Sequence, residues 1–573
     1  MNKDLDTMRH SAAHLLAAAV KRLYPKTSLG IGPVIEDGFY YDFDSSHNFS
    51  TDDFSKIEKE IENLKKKKIT FQRTEEKIDE ATKLVKKVKE PYKEKLIGDL
   101  KKQGEKKASF YKTGEFIDLC AGPHVKHSGE IGEVKLLSVA GAYWRGNEKN
   151  KMLQRIYGTA WRTKKDLGDY LNRLEEAKNR DHKKLGAQLG LFTFLPVAPG
   201  MPFWYPKGFA VLEVLKKYVR AVNKKFGYKE ISTPQLAKKA VWETSGHWKL
   251  FREDMFAFNL ERQTYALKPM NCPPTLLLYN TQQHSYRDLP LKLSDLDLIH
   301  RYEDSGTLNG LLRVRELSQD DAHIFCTEDQ IESSIGELLD MAHEIYKTFG
   351  FSPKFYLATR PQKALGDTKP WKRAESALEK VLKGKKVNYS LKEGEGSFYG
   401  PKIDLHIEDA LERDWQLATI QLDLQMPKRF SASYTDAKGK EQTPIMIHRA
   451  ILGSFERFLG ILIEHYAGLL PIWLSPVQIK IIPIAERHVV YAEKVSKEFS
   501  ANDIRVEVDD RSETMQAKIR DAQIQKFPYM IIVGDKERVQ KKVSVRSRTK
   551  GDEGTTTVNQ FVDRINKEVE QSK

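Results

Sequence analysis

The spacing of hydrophobic positions changes several times along the chain, and those changes divide it into four regions. Residues 1 to about 165 open with MRHSAAHLLAAAV, whose apolar positions predict a helix. A turn-rich segment, GIGPVIEDGFYYDF, follows at 30–43, then a Lys/Glu helical stretch, then a Gly-containing β-like segment at 136–161, LLSVAGAYWRGNEKNKMLQRIYGTAW. About 166–190, LGDYLNRLEEAKNRDHKKLGAQLG, spaces its apolar residues helically among alternating charges and ends near glycine, which predicts a linker helix. From about 191 to 474, strand-like runs such as LHIEDALERDWQLATIQLDL alternate with helices, predicting a large antiparallel sheet with helices packed on it. The stretch 475–573 reads as a small α/β domain: VQIKIIPI, VVYAEKVSKEFSAN, IRVEVD, MQAKIRDAQIQK, YMIIVG and VSVRSR alternate strand and helix, with two strand-like runs at the end. The fold class expected is α+β multidomain, since 573 residues exceed what one hydrophobic core can organise.

Composition narrows the partners. No apolar run approaches the ~20 residues that span a bilayer, so no membrane partner is expected. Acidic residues precede the apolar stretch at Ser11 and a helix runs on through Lys21, which argues against a secretory signal and leaves a cytoplasmic address. Three cysteines (Cys120, Cys272, Cys326), odd in number and widely spaced, make no disulfide framework; each is a buried thiol, a metal ligand or a reactive group. A formal charge of +15 makes nucleic acid the first partner to test. The alternative is a solvated surface, and the run Lys65 to Lys68 and the Lys-rich stretch around 83–107 read as solvated helix faces.

The segment HRYEDSGTLNGLLRVRELSQDDAHIF (300–325) gathers Arg301, Glu303, Arg313, Gln319, Asp321 and His323. Two arginines on a strand, loop and returning strand suit a triphosphate or carboxylate, which guanidinium forks pair bidentately; a salt-bridged surface hairpin is the alternative. Further motifs decide between them. Pro234 after KEISTP, Arg301 and Glu303 in HRYE, and Arg457 in GSFERFLG resemble the three motifs of class II aminoacyl-tRNA synthetases. KPMNCP, RVRELSQDDAHIF, YGPKIDL and MIHRAILGSFERF are similar to the threonyl enzymes of that class, over nearly the whole chain.

The resemblance implies a threonine-tRNA ligase that activates L-threonine with ATP, transfers it to tRNA(Thr) and hydrolyses mischarged seryl-tRNA(Thr). It implies one Zn²⁺ per subunit on Cys272, His323 and His448, which spacing alone does not reveal. Thiolate plus two imidazoles leaves a tetrahedral zinc with an open position. Threonine's amine and hydroxyl would fill that coordination and valine would not. The same resemblance has Asp321 accept the hydroxyl proton, Tyr399 and Gln421 complete the pocket, and Arg301 with Gln319 hold the carboxylate. Arg313 and Arg457, with Glu303 and Leu317, belong to the ATP site, where Mg²⁺ bridges phosphates. His247 in ETSGHW matches a histidine near the terminal ribose and is a candidate general base, against the alternative of a structurally satisfied histidine.

Serine keeps the hydroxyl and lacks only a methyl, worth ~1–3 kcal/mol in a pocket, so a second, hydrolytic site is expected. In the first region His10 and His14 are four apart in a helical pattern, and Cys120 and His124 stand in DLCAGPHV. By spacing this set suggests zinc, which the related alanyl editing domains bind. The threonyl family implies a metal-free pocket in which His10 activates water, Lys93 stabilises developing charge, and His14, Asp118, Cys120 and His124 shape the cavity. The last region resembles an anticodon-binding module, with Glu537 and Arg546 at base-reading positions; Arg546 alternatively only neutralises phosphate.

Several positions depart from the family pattern. Leu317 replaces a phenylalanine that stacks on adenine, Tyr302 and Ser512 replace asparagines, and Pro274 replaces a glycine beside the zinc cysteine. With nine residues before His10, the ubiquitin-like domain that often precedes the histidine pair is expected to be absent. The segment ending at Pro234 implies a homodimer. A non-catalytic RNA-binding paralogue, a synthetase for proline or serine, and a free-standing editing enzyme are the competing readings. The complete metal set and the three class II motifs weigh against them.

Overall fold

The computed structural model describes residues 3–571. The chain forms two compact units, Met1–Glu175 and Glu176–Lys573. In the first, the opening helix Lys3–Leu23 is buried almost all round from Met8 to Val20. A helix apolar on every side must sit inside a core. Here Ala12, Leu15, Leu16 and Ala19 meet Phe39, Tyr41 and Phe43 of a sheet strand and Ile57 and Ile61 of the helix Phe54–Lys66. That antiparallel sheet runs Ser28–Leu29, Gly38–Asp44, Met152–Trp161, Glu133–Tyr143, with Val34–Ile35 also paired to Gly38–Asp44. A second sheet of Phe71–Lys77, Lys107–Thr113 and Phe116–Leu119 carries the helices Ile78–Lys87 and Pro91–Lys102, whose lysines are mostly exposed.

The linker differs from its sequence reading. The single helix expected over 166–190 is two, Lys164–Arg180 and His182–Gln188. Asp181 between them takes an extended ψ, and its carboxylate accepts the Lys183 and Lys184 amides, so a new helix starts there.

The second unit is built on the expected large sheet. Its order is Lys229–Ile231, Leu291–Asp295, Glu316–Cys326, Ile445–Ser454, Asp414–Asp423, Lys402–Glu408, Lys354–Ala358, Tyr389–Lys392. Leu298–His300 pairs with the far end of Glu316–Cys326. Only the two outermost pairings are parallel. Alternation fixes which side chains go where. Ala322, Ile324, Ile420, Leu422, Ile447 and Ile451 share one core with the helices Pro206–Lys225, Ile331–Thr348, Thr368–Gly384 and Phe455–His465. Asp321, His323, Gln421, Asp423 and His448, one residue out of step, face the other way. The C-terminal sheet runs Val506–Val508, Ile479–Pro483, Tyr529–Val533, Lys542–Ser547, Gly551–Thr557, its first three strands parallel. The last strand and the closing helix Val558–Gln571 were not among the expected elements, although Val558, Phe561, Val562 and Ile565 of that helix are helically spaced.

The pairing of Glu316–Cys326 with Ile445–Ser454 shifts register between Gln319 and Asp321. Asp320, fully buried at this irregularity, accepts the Ile451 and Leu452 amides and is paired with the equally buried Arg449. Arg449 also donates to Asn223 and stacks 4.7 Å over Tyr228. Removing one partner strands a buried charge. Asp320→Ala should therefore destabilise this unit by about 3–5 kcal/mol, measured as a drop in the urea midpoint of its unfolding transition.

Candidate functional site

Three side chains remote in sequence converge on the face of the large sheet opposite its main helical core. His323 and His448 are direct cross-strand partners, their rings 5.0 Å apart, and Cys272 enters as the first residue of the helix Cys272–Tyr279. Their ligand atoms lie within 4.8 Å of one another and all three residues are buried. Burial drives His323 well below the usual histidine range, which keeps it neutral and able to donate a lone pair. Its Nδ1 is buried without a protein partner among the described residues. His448 Nε2 lies 3.0 Å from Asp423, leaving Nδ1 available. A carboxylate on the second nitrogen is the usual support of a metal-binding imidazole. Burial raises the Cys272 thiol well above its normal value, and Asp321 and Asp423 push it further, a bias that a bound cation reverses. One thiol, two imidazoles and an orphaned ring nitrogen fit a zinc ion.

Around this cluster stand the other expected residues. Asp321, two positions before His323, is held by the Asn271 amide at 3.1 Å, and burial pushes it up to about 6. Gln421 is opposite His448 on the next strand, bonded to the Tyr399 hydroxyl, whose ring lies 5.0 Å from that of His448. Arg301 donates from Nε to the Pro269 carbonyl at 3.2 Å. Gln319 sits on the other side of the register shift from Asp321.

Two arginines lie near each other beyond Gln319. Arg313 is paired with Glu303 at 2.7 Å, while Arg457 stacks 5.5 Å over Trp415 and its buried Nε has no partner among the described residues. Burial and then the positive charge of Arg313 lower the proton affinity of Arg457. Two guanidinium groups that repel each other form a place for a polyanion. Leu317 packs with Ile299 and Val314. His247 is fully buried, its Nδ1 2.8 Å from the Ser245 hydroxyl and its Nε2 3.0 Å from the Met270 sulfur. Burial lowers it to about 4, with His448 and Arg301 adding to the shift, so it is neutral at pH 7.

The first unit holds a second cluster. Helical spacing puts His10 and His14 on one side of the opening helix. Cys120 Sγ lies 3.3 Å from His10 Nε2 and 3.2 Å from His124 Nε2, and the two rings stack at 4.4 Å. These three side chains also lie close enough to share a metal. His124 Nδ1 meets the Ser11 hydroxyl at 3.1 Å and His10 Nδ1 meets the Pro123 carbonyl at 3.2 Å. Gly122 turns the chain here with φ +74°, and a Cβ would strike Tyr111 at 2.3 Å. Lys93 is buried against Asp118 at 2.7 Å and donates to Tyr41, which hydrogen-bonds the same carboxylate at 2.5 Å. Burial pushes the Cys120 thiol up to about 11 and His124 down to about 2. In the C-terminal region Glu537 accepts the Gly534 amide at 2.9 Å, and Arg546 lies half-buried on the strand Lys542–Ser547.

Sequence reasoning missed Tyr41, Ser11, Asn271, Asp423 and the Asp320–Arg449 pair. Asn271 adjoins Cys272 within KPMNCP, which offered a hint; the others are ordinary strand or helix residues with no local signal.

The fold and these sites define a class II aminoacyl-tRNA synthetase. Residues 256–466 match the tRNA synthetase class II core domain (G, H, P, S and T), residues 478–568 the anticodon binding domain, and residues 108–157 the threonyl and alanyl tRNA synthetase second additional domain. Threonine-tRNA ligase of Clostridium acetobutylicum is 49% identical over 99% of this chain and 88% of its own. That of Acetivibrio thermocellus is 50% identical over 98% and 88%. A crystal structure titled as the RNA binding domain of threonyl-tRNA synthetase from Cryptosporidium parvum Iowa II superposes with a TM-score of 0.66 at 40% identity, covering 68% of this chain and 98% of that one. The chain belongs to the threonine-tRNA ligase family.

The first-unit cluster carries a pH signature. His14 is fully buried and burial lowers it to about 3, below its unfolded value near 6.5. Below pH 6.5 the unfolded chain therefore binds a proton that the folded chain refuses, and stability falls with falling pH. The slope is about 1.4 kcal/mol per pH unit down to the folded value. His14→Phe should flatten the pH dependence of the first unit's urea midpoint between pH 6 and 4 by about one proton.

Proposed function

We propose that the chain activates L-threonine with ATP, transfers it to tRNA(Thr) and removes misattached serine. The observation that carries the reading is the buried Cys272, His323 and His448 cluster beside Asp321. These three residues would hold zinc, which when bound would supply Lewis acidity toward an amine and a neighbouring hydroxyl. Asp321, fixed by Asn271, accepts the hydroxyl proton, so a substrate with a methyl in its place leaves a buried carboxylate unpaired. Tyr399 and Gln421 close the pocket. Arg301 and Gln319 orient the substrate carboxylate for in-line attack on the α-phosphate, a step that needs alignment and charge neutralisation and no protein nucleophile.

Arg313 and Arg457 grip the triphosphate, Glu303 and Leu317 complete the ATP site, and Mg²⁺ supplies further neutralisation of phosphate charge. Glu303 now shields Arg313 and gives way as phosphate arrives. For acyl transfer, His247 accepts the proton of the terminal ribose. Its low proton affinity keeps it in the basic form at neutral pH.

In the other unit His10 activates water against seryl-tRNA(Thr), Lys93 stabilises the developing oxyanion, and His14, Asp118, Cys120 and His124 shape the pocket without metal. Glu537 and Arg546 read the anticodon by hydrogen bonds to exposed base edges. Residues 1–165 are thus the editing domain, 166–190 the linker, 191–474 the catalytic domain and 475–573 the anticodon-binding domain. The working form is a cytoplasmic homodimer; among the described residues no helix is long and apolar enough to cross a membrane.

ATP-pyrophosphate exchange should be fastest with threonine, weaker with serine and negligible with valine or proline, and a zinc chelator should abolish it. Exchange that persists in zinc-free protein removes the metal from substrate selection. For hydrolysis, His10→Ala should accumulate seryl-tRNA(Thr), with serine deacylation slowed by about 10²–10⁴-fold. An unchanged deacylation rate excludes His10 as the base.

A further inference from the structure

We propose that His182, in the linker, is a positioning residue for ATP: it holds the turn that presents Arg313 beside Arg457. This rests on the reading of those two arginines as triphosphate ligands. His182 is 1% exposed and both its ring nitrogens are used. Nδ1 lies 2.6 Å from a Glu464 oxygen that also accepts the His182 amide at 3.0 Å, and Nε2 accepts the Leu311 amide at 3.0 Å. A carboxylate on one side and an N–H on the other fix the orientation of the ring, with Nε2 as the acceptor. Leu311 is the middle residue of the 3₁₀ turn Gly310–Leu312, and Arg313 is the next residue. Lys183 reinforces the contact by donating to Asn309 at 3.1 Å.

The other end of this grip is the helix that carries Arg457. Glu464 belongs to the helix Phe455–His465, so one carboxylate ties His182 to the same rigid element as Arg457. Its second oxygen takes Arg413, which also pairs with Asp409; Asp409 accepts the indole N–H of Trp415 at 2.8 Å, and Trp415 is the ring beneath Arg457. Two glycines make the approach possible. A Cβ on Gly310, at φ +51°, would stand 2.2 Å from His182 Nε2, and one on Gly460 of the helix would stand 3.1 Å from Leu312. Asp181, His182 and Glu464 lie close enough to suggest a metal cluster, but protein groups already fill both imidazole nitrogens, and Asp181 caps its own helix.

The test separates the two ring nitrogens in full-length, zinc-loaded protein. In His182→Asn the side-chain amide keeps a donor for Glu464 and loses the acceptor for Leu311. In His182→Gln a carbonyl reaches the Nε2 position. Exchange assays should show the KM for ATP about five- to tenfold higher in H182N, with the KM for threonine and the zinc content unchanged, and H182Q should recover most of the loss. An unchanged KM for ATP in H182N, or a matching rise in the KM for threonine, overturns the proposal. Should H182N fail to fold, Gly310→Ala presses on the same nitrogen and must give the same ATP-selective defect, or the proposal falls. Arg313→Ala and Arg457→Ala serve as controls. If neither raises the KM for ATP, the triphosphate reading fails and takes this inference with it; if they do and H182N does not, only the role of His182 is wrong.

Discussion

The register between the strands Glu316–Cys326 and Ile445–Ser454 is the constraint on which the catalytic unit depends. It sets His323 opposite His448, and because side chains alternate along a strand, a slip of one residue in either strand would turn its imidazole into the main core. Hydrophobic residues on the other face make such a slip costly, since Ala322 and Ile324, or Ile447 and Ile451, would then leave the main core. The buried Asp320–Arg449 pair adds a polar lock: its hydrogen bonds to the Ile451 and Leu452 amides can form only at this register shift. Charge on the back of the sheet thereby fixes the position of charge on the front.

Both clusters use burial to the same chemical end by different means. At Cys272, His323 and His448, burial lowers the proton affinity of His323, and its Nδ1 has no partner among the described residues, which leaves a place for a cation. At His10, Cys120 and His124 the imidazoles are also kept neutral, yet their nitrogens are engaged with Ser11, Pro123 and the thiol. Burial pushes the thiols of both clusters up, so the thiols do not tell the two apart. The contrast lies in the ring nitrogens: His323 Nδ1 has no partner among the described residues, whereas the nitrogens of His10 and His124 are all engaged.

Much of this was legible in the sequence where the physics is local. The opening helix and the i, i+4 placement of His10 and His14 follow from period and spacing, and the long strands from alternation. What was not legible arises from contacts between distant segments. The strand Gly551–Thr557, GDEGTTT, has no hydrophobic pattern and is held by pairing with Lys542–Ser547. The linker breaks because one aspartate caps a new helix, an event that charge alternation hides. Asp423, Tyr41 and His182 acquire their roles from neighbours that only folding supplies, and the metal trio was reached by resemblance and not by spacing.

The linker break changes what that segment can do. An unbroken helix over 166–190 would be a spacer with little reason to bury a histidine. Ending the first helix at Arg180 and restarting it under the Asp181 cap turns the His182 ring into the catalytic unit, where it meets Glu464 and the Leu311 amide. Arg180 adds a tether, donating to the His465 carbonyl at 3.0 Å. The start of the catalytic unit is thus anchored at the C-terminal end of the helix that carries Arg457. The Leu311 amide donates to the imidazole of the same segment, so the turn that presents Arg313 shares this anchor.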